Sequence, residues 1–424
     1  MRFRCLFLGV FLLVLVPQLP AQQKALPTKY TFSGFPNATD KELMDAAGLK
    51  PGVVITPADM DAAADQLSKT GMFSEVKFRF QGNELHFDLK PADGLGAAYF
   101  ENFPWWDGKT LTELVEARAP LFHGLVVPDS GLEQQIKAVL TTLVGEKGVE
   151  ATVISTPRLD NKTGATTGVS FHIQTPAVET GEVKFSGVSG DVATRVSAVQ
   201  RAAAGQTFNS ATEETLWVEV RNIYHRLGYL DVAMTGFAPG TPGLLGGRII
   251  VPVNATIEPG AQYRLSSITI AGDVLITHDE FAREAKIRPG EIVNEDLLRQ
   301  TLAAVAEPYK ERGYLRATIG AAPTYDRTQH TVSYVVTVIP REVYHMGKVA
   351  VENLNEERKA AFANAWEMHA GDVYNANYPP AFLARIVKTV QSLDGWSATY
   401  KEYEHPDTHV IDLLITFDPG KAVK

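Results

Sequence analysis

Histidines, clustered acids and a glycine-rich run are the residues of this sequence that could do chemistry. The ten histidines are scattered. His405 and His409 are the nearest pair, spaced as two metal ligands could be, but they flank Pro406-Asp407-Thr408, the composition of a solvated turn, with no cysteine beside them. Thr277-His278-Asp279-Glu280 contains both acid and base types. A threonine followed three residues later by glutamate is also a capping box, so this stretch reads as a helix start. The run Gly240-Thr241-Pro242-Gly243-Leu244-Leu245-Gly246-Gly247 lacks the lysine and the following helix of a phosphate loop. The sequence therefore predicts a protein that is not an enzyme, with no catalytic residue, no metal, no cofactor and no small-molecule substrate.

The elements that carry these residues recur along the chain. In Ile287 to Ile319, Gly290 precedes a capping residue, Asn294, with Glu295 and Asp296 where a helix dipole favours acids. Leu298, Leu302, Val305 and Tyr309 fall on one helical face. Gly313 ends that helix, Gly290 ends the helix before it, and Pro308 predicts a kink. Counterparts run through the sequence. One set of glycines is Gly52, Gly124, Gly205, Gly290 and Gly371; the second is Gly71, Gly148, Gly228, Gly313 and Gly395. The gaps within pairs are 19, 24, 23, 23 and 24 residues. Such self-similarity is the mark of a repeat protein. Each repeat reads as strand, helix, helix and a two-stranded hairpin, with domains expected at 27–93, 94–178, 179–260, 261–341 and 342–420. The fold class expected is α+β, five tandem βααββ domains joined by short linkers into an elongated curved rod.

Ahead of these repeats, Arg2 and Arg4 precede an apolar run from Leu6 to Val16, then Pro17-Gln18-Leu19-Pro20 and a small residue, Ala21. This is the pattern of a signal peptide over residues 1–21. Its removal takes away Cys5, the one cysteine, and shifts the formal net charge from −9 to −11. An exported, acidic, cysteine-free chain is held together by packing rather than disulfides, and is a poor match for nucleic acid.

A βααββ repeat with these glycines in an exported chain resembles the POTRA (polypeptide-transport-associated) family. The motif is clearest in Gly290-Glu291-Ile292-Val293-Asn294, Tyr309, Gly313-Tyr314 and Thr331-Val332, and again in Tyr224 with Gly228-Tyr229. The resemblance extends to the periplasmic arm of BamA-type outer-membrane assembly factors. It implies a periplasmic location at the inner face of the outer membrane, in peripheral association with it. It also implies partners among unfolded outer-membrane proteins or envelope assembly-complex subunits. Members of this kind continue into a β-barrel of at least about eight strands. Only Asp418 to Lys424 follow Phe417, so no barrel is expected in this sequence.

The hairpins carry the functional expectation. The last strand of each repeat, such as Tyr334 to Ile339, is apolar on both sides and belongs in a sheet centre. The strand before it then lies at an edge, able to take up a strand of another polypeptide. Glu75, Lys77 and Arg79 protect that edge in the first repeat. Val232, Ala233, Met234 and Thr235 in the third carry no charge, and are the expected polypeptide-binding edge. Three readings stay open: a scaffold or chaperone-like protein that handles unfolded substrates, a module that docks a folded envelope partner, and a barrel-less truncated assembly factor.

Overall fold

The computed structural model describes residues 27–272, 275–389 and 396–419. The leader, Cys5 and Gly395 lie outside the described residues. The fold is α+β, with five small mixed sheets following one another along the chain. The first set of elements is β1 (Lys29–Ser33), α1 (Asp40–Ala46), α2 (Pro57–Lys69), β2 (Phe73–Gln81) and β3 (Glu84–Pro91). The second is β4 (Gly96–Phe100), α3 (Gly108–Glu116), β5 (Leu125–Val126), α4 (Gly131–Gly145), β6 (Thr152–Leu159) and β7 (Thr166–Thr175). The third is β8 (Val178–Ser186), α5 (Val192–Ala203), α6 (Thr212–His225), β9 (Ala233–Pro239), β10 (Gly243–Leu245) and β11 (Arg248–Glu258). The fourth is β12 (Arg264–Ala271), α7 (His278–Glu284), α8 (Glu295–Lys310), β13 (Thr318–Asp326) and β14 (Thr331–Ile339). The fifth is β15 (His345–Glu352), α9 (Glu356–Ala365), α10 (Tyr378–Thr389), β16 (Ser397–His405) and β17 (Val410–Asp418).

The chain divides into two compact units. One holds the described residues up to Gly181 with Gly205–Thr212 and Pro239–Pro252; the other holds Glu182–Ala204, Glu213–Ala238 and the described residues from Val253 onward. Strands β8 and β11 run through both.

In every sheet the last long strand is central. The orders are β1-β3-β2, β5-β4-β7-β6, β12-β14-β13 and β15-β17-β16, and β11 pairs with β8, β9 and β10. The first strand joins the central one in parallel and the hairpin partner joins it antiparallel, as in β12–β14 and β13–β14. Central strands alternate. Leu85, Phe87 and Leu89 are buried on β3, Val332, Tyr334 and Val336 on β14, and Ile411, Leu413, Ile415 and Phe417 on β17. The helices cover that one face. The other face stays open, with Val335 38% and Ile339 53% exposed. The central position of these strands thus follows from pairing on both edges, and not from burial of both faces as their composition suggests.

Local chemistry accounts for the helix ends. Thr39 with Glu42, Thr56 with Asp59 and Thr277 with Glu280 form reciprocal capping boxes, each satisfying two N–H groups that the helix leaves free. Asp107 caps α3 through Thr110, so the helix forms directly after Pro104-Trp105-Trp106. Asn294 caps α8 directly. Asn209 and Asn375 instead accept from Ala211 and Asn377 ahead of helices that begin at Thr212 and Tyr378. Helix α8 runs through Pro308 to Lys310; so near its end, proline removes one bond where few remain. Gly290 does not end α7, which stops at Glu284. It occupies the following turn with φ +88° and donates its N–H to the Leu265 carbonyl at 2.7 Å. The glycine-rich run is also not all loop, because Gly243–Leu245 pairs with Arg248–Ile250 across a Gly246-Gly247 turn of positive φ.

The second-set glycines among the described residues, Gly71, Gly148, Gly228 and Gly313, do end helices. Gly313 at φ +80° donates to the Lys310 carbonyl and Tyr314 donates to that of Tyr309, the paired bonds of a Schellman closure. The Tyr309 and Tyr314 rings pack 6.1 Å apart, and Tyr224 and Tyr229 do the same at 5.7 Å around Gly228. A Cβ at Gly313 would lie 2.7 Å from the Tyr344 carbonyl oxygen and 3.0 Å from Val343 and Val373, whereas one at Gly148 meets nothing within 4 Å. Both glycines take nearly the same φ. Gly148→Ala should therefore cost about 1 kcal/mol, the left-handed penalty alone. Gly313→Ala should cost at least about 1 kcal/mol more, from crowding. Urea unfolding of the two variants against the parent measures this, and equal losses would refute the crowding account.

Candidate functional site

The candidate sites are the sheet edges, and each sheet has two. The first-strand edge is partly closed by the segment that follows the first-set glycine. Strand β5 pairs with Gly96 and Ala97 of β4, and isolated antiparallel bridges join Glu179 to Thr207, Arg264 to Ile292 and His345 to Val373. The Gly290 and Gly371 N–H groups add bonds to Leu265 and Met346. The second-strand edges, on β2, β6, β9, β13 and β16, start just past the second-set glycines and lie at the opposite side of the sheets.

These five strands differ in how they are protected. Charges and prolines are the usual guards of an open edge. Strand β2 carries Glu75, Lys77 and Arg79, with Lys77 2.6 Å from Glu75 and Arg79 3.7 Å from Asp88. Strand β6 has Pro157 and Arg158, β13 has Pro323 and Asp326, and β16 has Lys401, Glu402 and Glu404. Strand β9, Ala-Met-Thr-Gly-Phe-Ala-Pro, has no charge. Its Gly236 takes φ +62°, which bends the strand.

The predicted edge residues are placed as follows. Val232 precedes β9 and is 7% exposed, packed in a core with Tyr224, Val220 and Ile257. It therefore offers no edge, because the turn after Gly228 spends Tyr229, Leu230 and Asp231 before the strand begins. Ala233 and Met234 are half-buried, and Met234 packs on the same core. Thr235 is exposed and its hydroxyl donates to Glu258 at 3.0 Å. The open edge is Ala233–Pro239.

The residues that could do chemistry are occupied separately. His405 lies 3.1 Å from Asp412, while His409 packs its ring 5.6 Å from that of Tyr344. No group of three or more potential metal ligands occurs among the described residues, and none of their helices is long and apolar enough to cross a membrane.

Sequence reasoning missed the contacts that join successive sheets within the second compact unit. The buried Tyr263 donates its N–H to the Gly228 carbonyl at 2.7 Å and its hydroxyl to Asp231 at 2.5 Å. Its phenol is held above the ordinary tyrosine range, first by that bond to Asp231 and then by desolvation. Tyr344 repeats the arrangement, with its N–H on the Gly313 carbonyl at 2.8 Å and its hydroxyl on Glu404, which Arg316 also pairs at 2.6 Å. The signal was a tyrosine directly ahead of β12 and β15. Between α6 and α8, His225 Nδ1 meets Glu295 at 2.8 Å and Arg226 meets Asp296 at 2.7 Å.

A POTRA family model, described as surface antigen variable number repeat, matches residues 263–341. A protein of Treponema pallidum (strain Nichols), named as an outer membrane protein assembly factor, is 25% identical over 157 residues, 37% of this chain and 19% of its own length. The chain thus spans about a fifth of that relative. POTRA3-5 of Haemophilus influenzae BamA aligns with 57% of this chain and 97% of its own at 15% identity and a TM-score of 0.42. POTRA1-3 of the periplasmic domain of Omp85 from Anabaena aligns with 59% and 98% at 15% identity and a TM-score of 0.24. Residues 263–341, which hold β12 to β14, are the part of the chain that matches the POTRA family.

The Glu295 carboxyl is held below the ordinary range, chiefly by the hydrogen bond from His225 and against its own desolvation. A lowered carboxyl contributes stability above the ordinary carboxylate range of about 4, and loses it as pH falls through the folded-state value. The stability difference between the parent and Glu295→Gln should be largest at neutral pH and shrink toward pH about 3. Urea unfolding at a series of pH values measures it; a difference independent of pH would exclude the pairing.

Proposed function

We propose that this protein is a non-enzymatic periplasmic scaffold in outer-membrane protein assembly, working at the inner face of the outer membrane and binding polypeptide by strand addition. We further propose that POTRA-like domains occupy 27–93, 94–178, 179–260, 261–341 and 342–420. The observation that supports the binding reading is β9, an edge strand with no charge and with a proline only at its last residue, where β2, β6, β13 and β16 all carry charged residues. Main-chain pairing tolerates many sequences, which suits a binder of unfolded outer-membrane proteins. The name of the Treponema relative supports the assembly role.

A second reading, a module docking a folded envelope partner, has one feature in its favour. Val349, Val351, Phe362, Ala363 and Trp366, with Lys359 and His369, line a mostly apolar groove beside β15.

A photo-crosslinking amino acid at Thr235, which is exposed, separates the two in growing cells. Strand addition predicts capture of several nascent outer-membrane proteins, reduced severalfold by Phe237→Lys. Capture of a single folded partner, or of nothing above a control placed on β16, would sink it in favour of docking.

A further inference from the structure

Strand β15 is an outer strand of the fifth sheet, and the loop that folds back on it covers only its first residues. Gly371 donates its N–H to the Met346 carbonyl at 2.7 Å, Met346 donates to that of Asp372 at 2.8 Å, and an antiparallel bridge joins His345 to Val373. The register with β17 then shifts between Met346 and Val349, an irregularity of the kind that re-aims an edge. Beyond it, Val349–Glu352 pairs with β17 alone among the described residues.

The inner side of this open stretch is apolar. Val349 and Val351 lie on the face that the helices cover, beside their β17 partners Leu413 and Ile415. They face Phe362, Ala363 and Trp366 across a groove of about 350 Å³. Its aromatic wall is fixed in place. The Phe362 and Trp366 rings stack 5.4 Å apart, both pack on Phe382, and Trp366 Nε1 donates to the Met368 carbonyl at 2.6 Å. The two charged residues of the lining are already paired, Lys359 with Glu356 at 2.9 Å and His369 with Asp372 at 3.7 Å. A small-molecule pocket sets convergent polar side chains among its apolar walls. Here the hydrogen-bonding capacity beside the groove is that of strand main chain.

We propose that this groove takes an extended segment of a second polypeptide. The segment adds antiparallel to Val349–Glu352 and lays every second side chain, an apolar one, against Phe362 and Trp366. An open strand edge beside an apolar groove suits this occupant, because main-chain pairing supplies affinity and the groove reads alternate side chains. The chain itself lays an antiparallel segment on the first part of the same edge, and in the second sheet the equivalent segment is a strand, β5 on β4. The fixed aromatic wall leaves little besides the incoming segment to be ordered. The proposal rests on the docking reading of this groove and not on β9, which belongs to another sheet.

Fluorescence anisotropy tests it, with a labelled peptide that alternates leucine and threonine between terminal lysines, titrated with the full chain to about 1 mM, the range of weak complexes. Saturable binding is expected. Ala363→Trp fills the groove from an exposed position and should weaken binding at least about tenfold; Ala363→Lys serves the same end. Both should keep the parent's circular dichroism and melting midpoint within a few degrees. N-methylation of one alternate set of peptide residues should abolish binding and that of the other set should not, the signature of pairing along one edge. A peptide of the same composition with its leucines grouped together should bind at least about tenfold more weakly. Phe237→Lys should leave the affinity unchanged, so failure here and failure of strand addition at β9 are read separately. No saturable binding, equal binding of the grouped peptide, or an affinity that both folded Ala363 variants retain would overturn the proposal.

Discussion

A glycine in the left-handed region, closing the second helix of a βααββ set, is the constraint on which the rest of this structure depends. The left-handed turn satisfies the last carbonyls of the helix and sends the chain back along the sheet as the edge strand. It also leaves the glycine carbonyl outward, where Tyr263 and Tyr344 take the Gly228 and Gly313 oxygens with their own N–H groups. No other residue type permits all of this. A side chain there would pay the left-handed cost and would also sit inside the next set's first turn. One atom's absence thus couples helix end, edge strand and junction.

The electrostatics at these junctions reinforce the same geometry. The C-terminal turn of α6 presents His225 and Arg226, and the first turn of α8 presents Glu295 and Asp296. Each side complements its own helix dipole, cations at the C-terminal end and acids at the N-terminal end, and the two sets of charges then pair with each other. Partly exposed pairs of this kind contribute up to about 1 kcal/mol each, so they tune the junction more than they create it. The buried tyrosines matter more, because a phenol removed from water needs its hydrogen bond. Asp231 and Glu404 provide one in each case. Tyr309 is satisfied otherwise, accepting from the Leu275 N–H at 3.0 Å.

Much of the fold was legible because it is local. Positive φ at Gly71, Gly148, Gly228 and Gly313, the capping boxes and the aromatic packed back on its helix all follow from residues a few positions apart. What was not legible is set by contacts far along the chain. Asp231 meets Arg327 across 96 positions, and no periodicity announces it. Val232 was misplaced because alternation tells which residues share a face but not where a strand begins. Three residues of turn after Gly228 moved it from edge to core. Gly290 looked like a helix end because glycine marks turns of several kinds. Its partner, Leu265 on the first strand, decides which kind, and that partner is remote. The candidate edge itself was half legible: its lack of charge is written in the sequence, its true span is not.

An unguarded edge strand is a hazard, since its unpaired N–H and C=O groups can template pairing with any extended chain. The chain meets that hazard at β2, β6, β13 and β16 with charge, to which β6 and β13 add proline, and at β9 with only Pro239 at the strand end. On the first strands it meets it by folding a loop back on the edge. Solvation does not force the exception at β9. Thr235 already faces water, so a lysine or glutamate there would cost nothing in burial. β9 leaves the same kind of glycine turn as the guarded strands and differs from them in the positive φ of Gly236 within it. A lysine at Thr235 would find the Glu258 carboxylate beside it, so the surroundings do not exclude a guarding charge, and β9 differs from its four counterparts in carrying none.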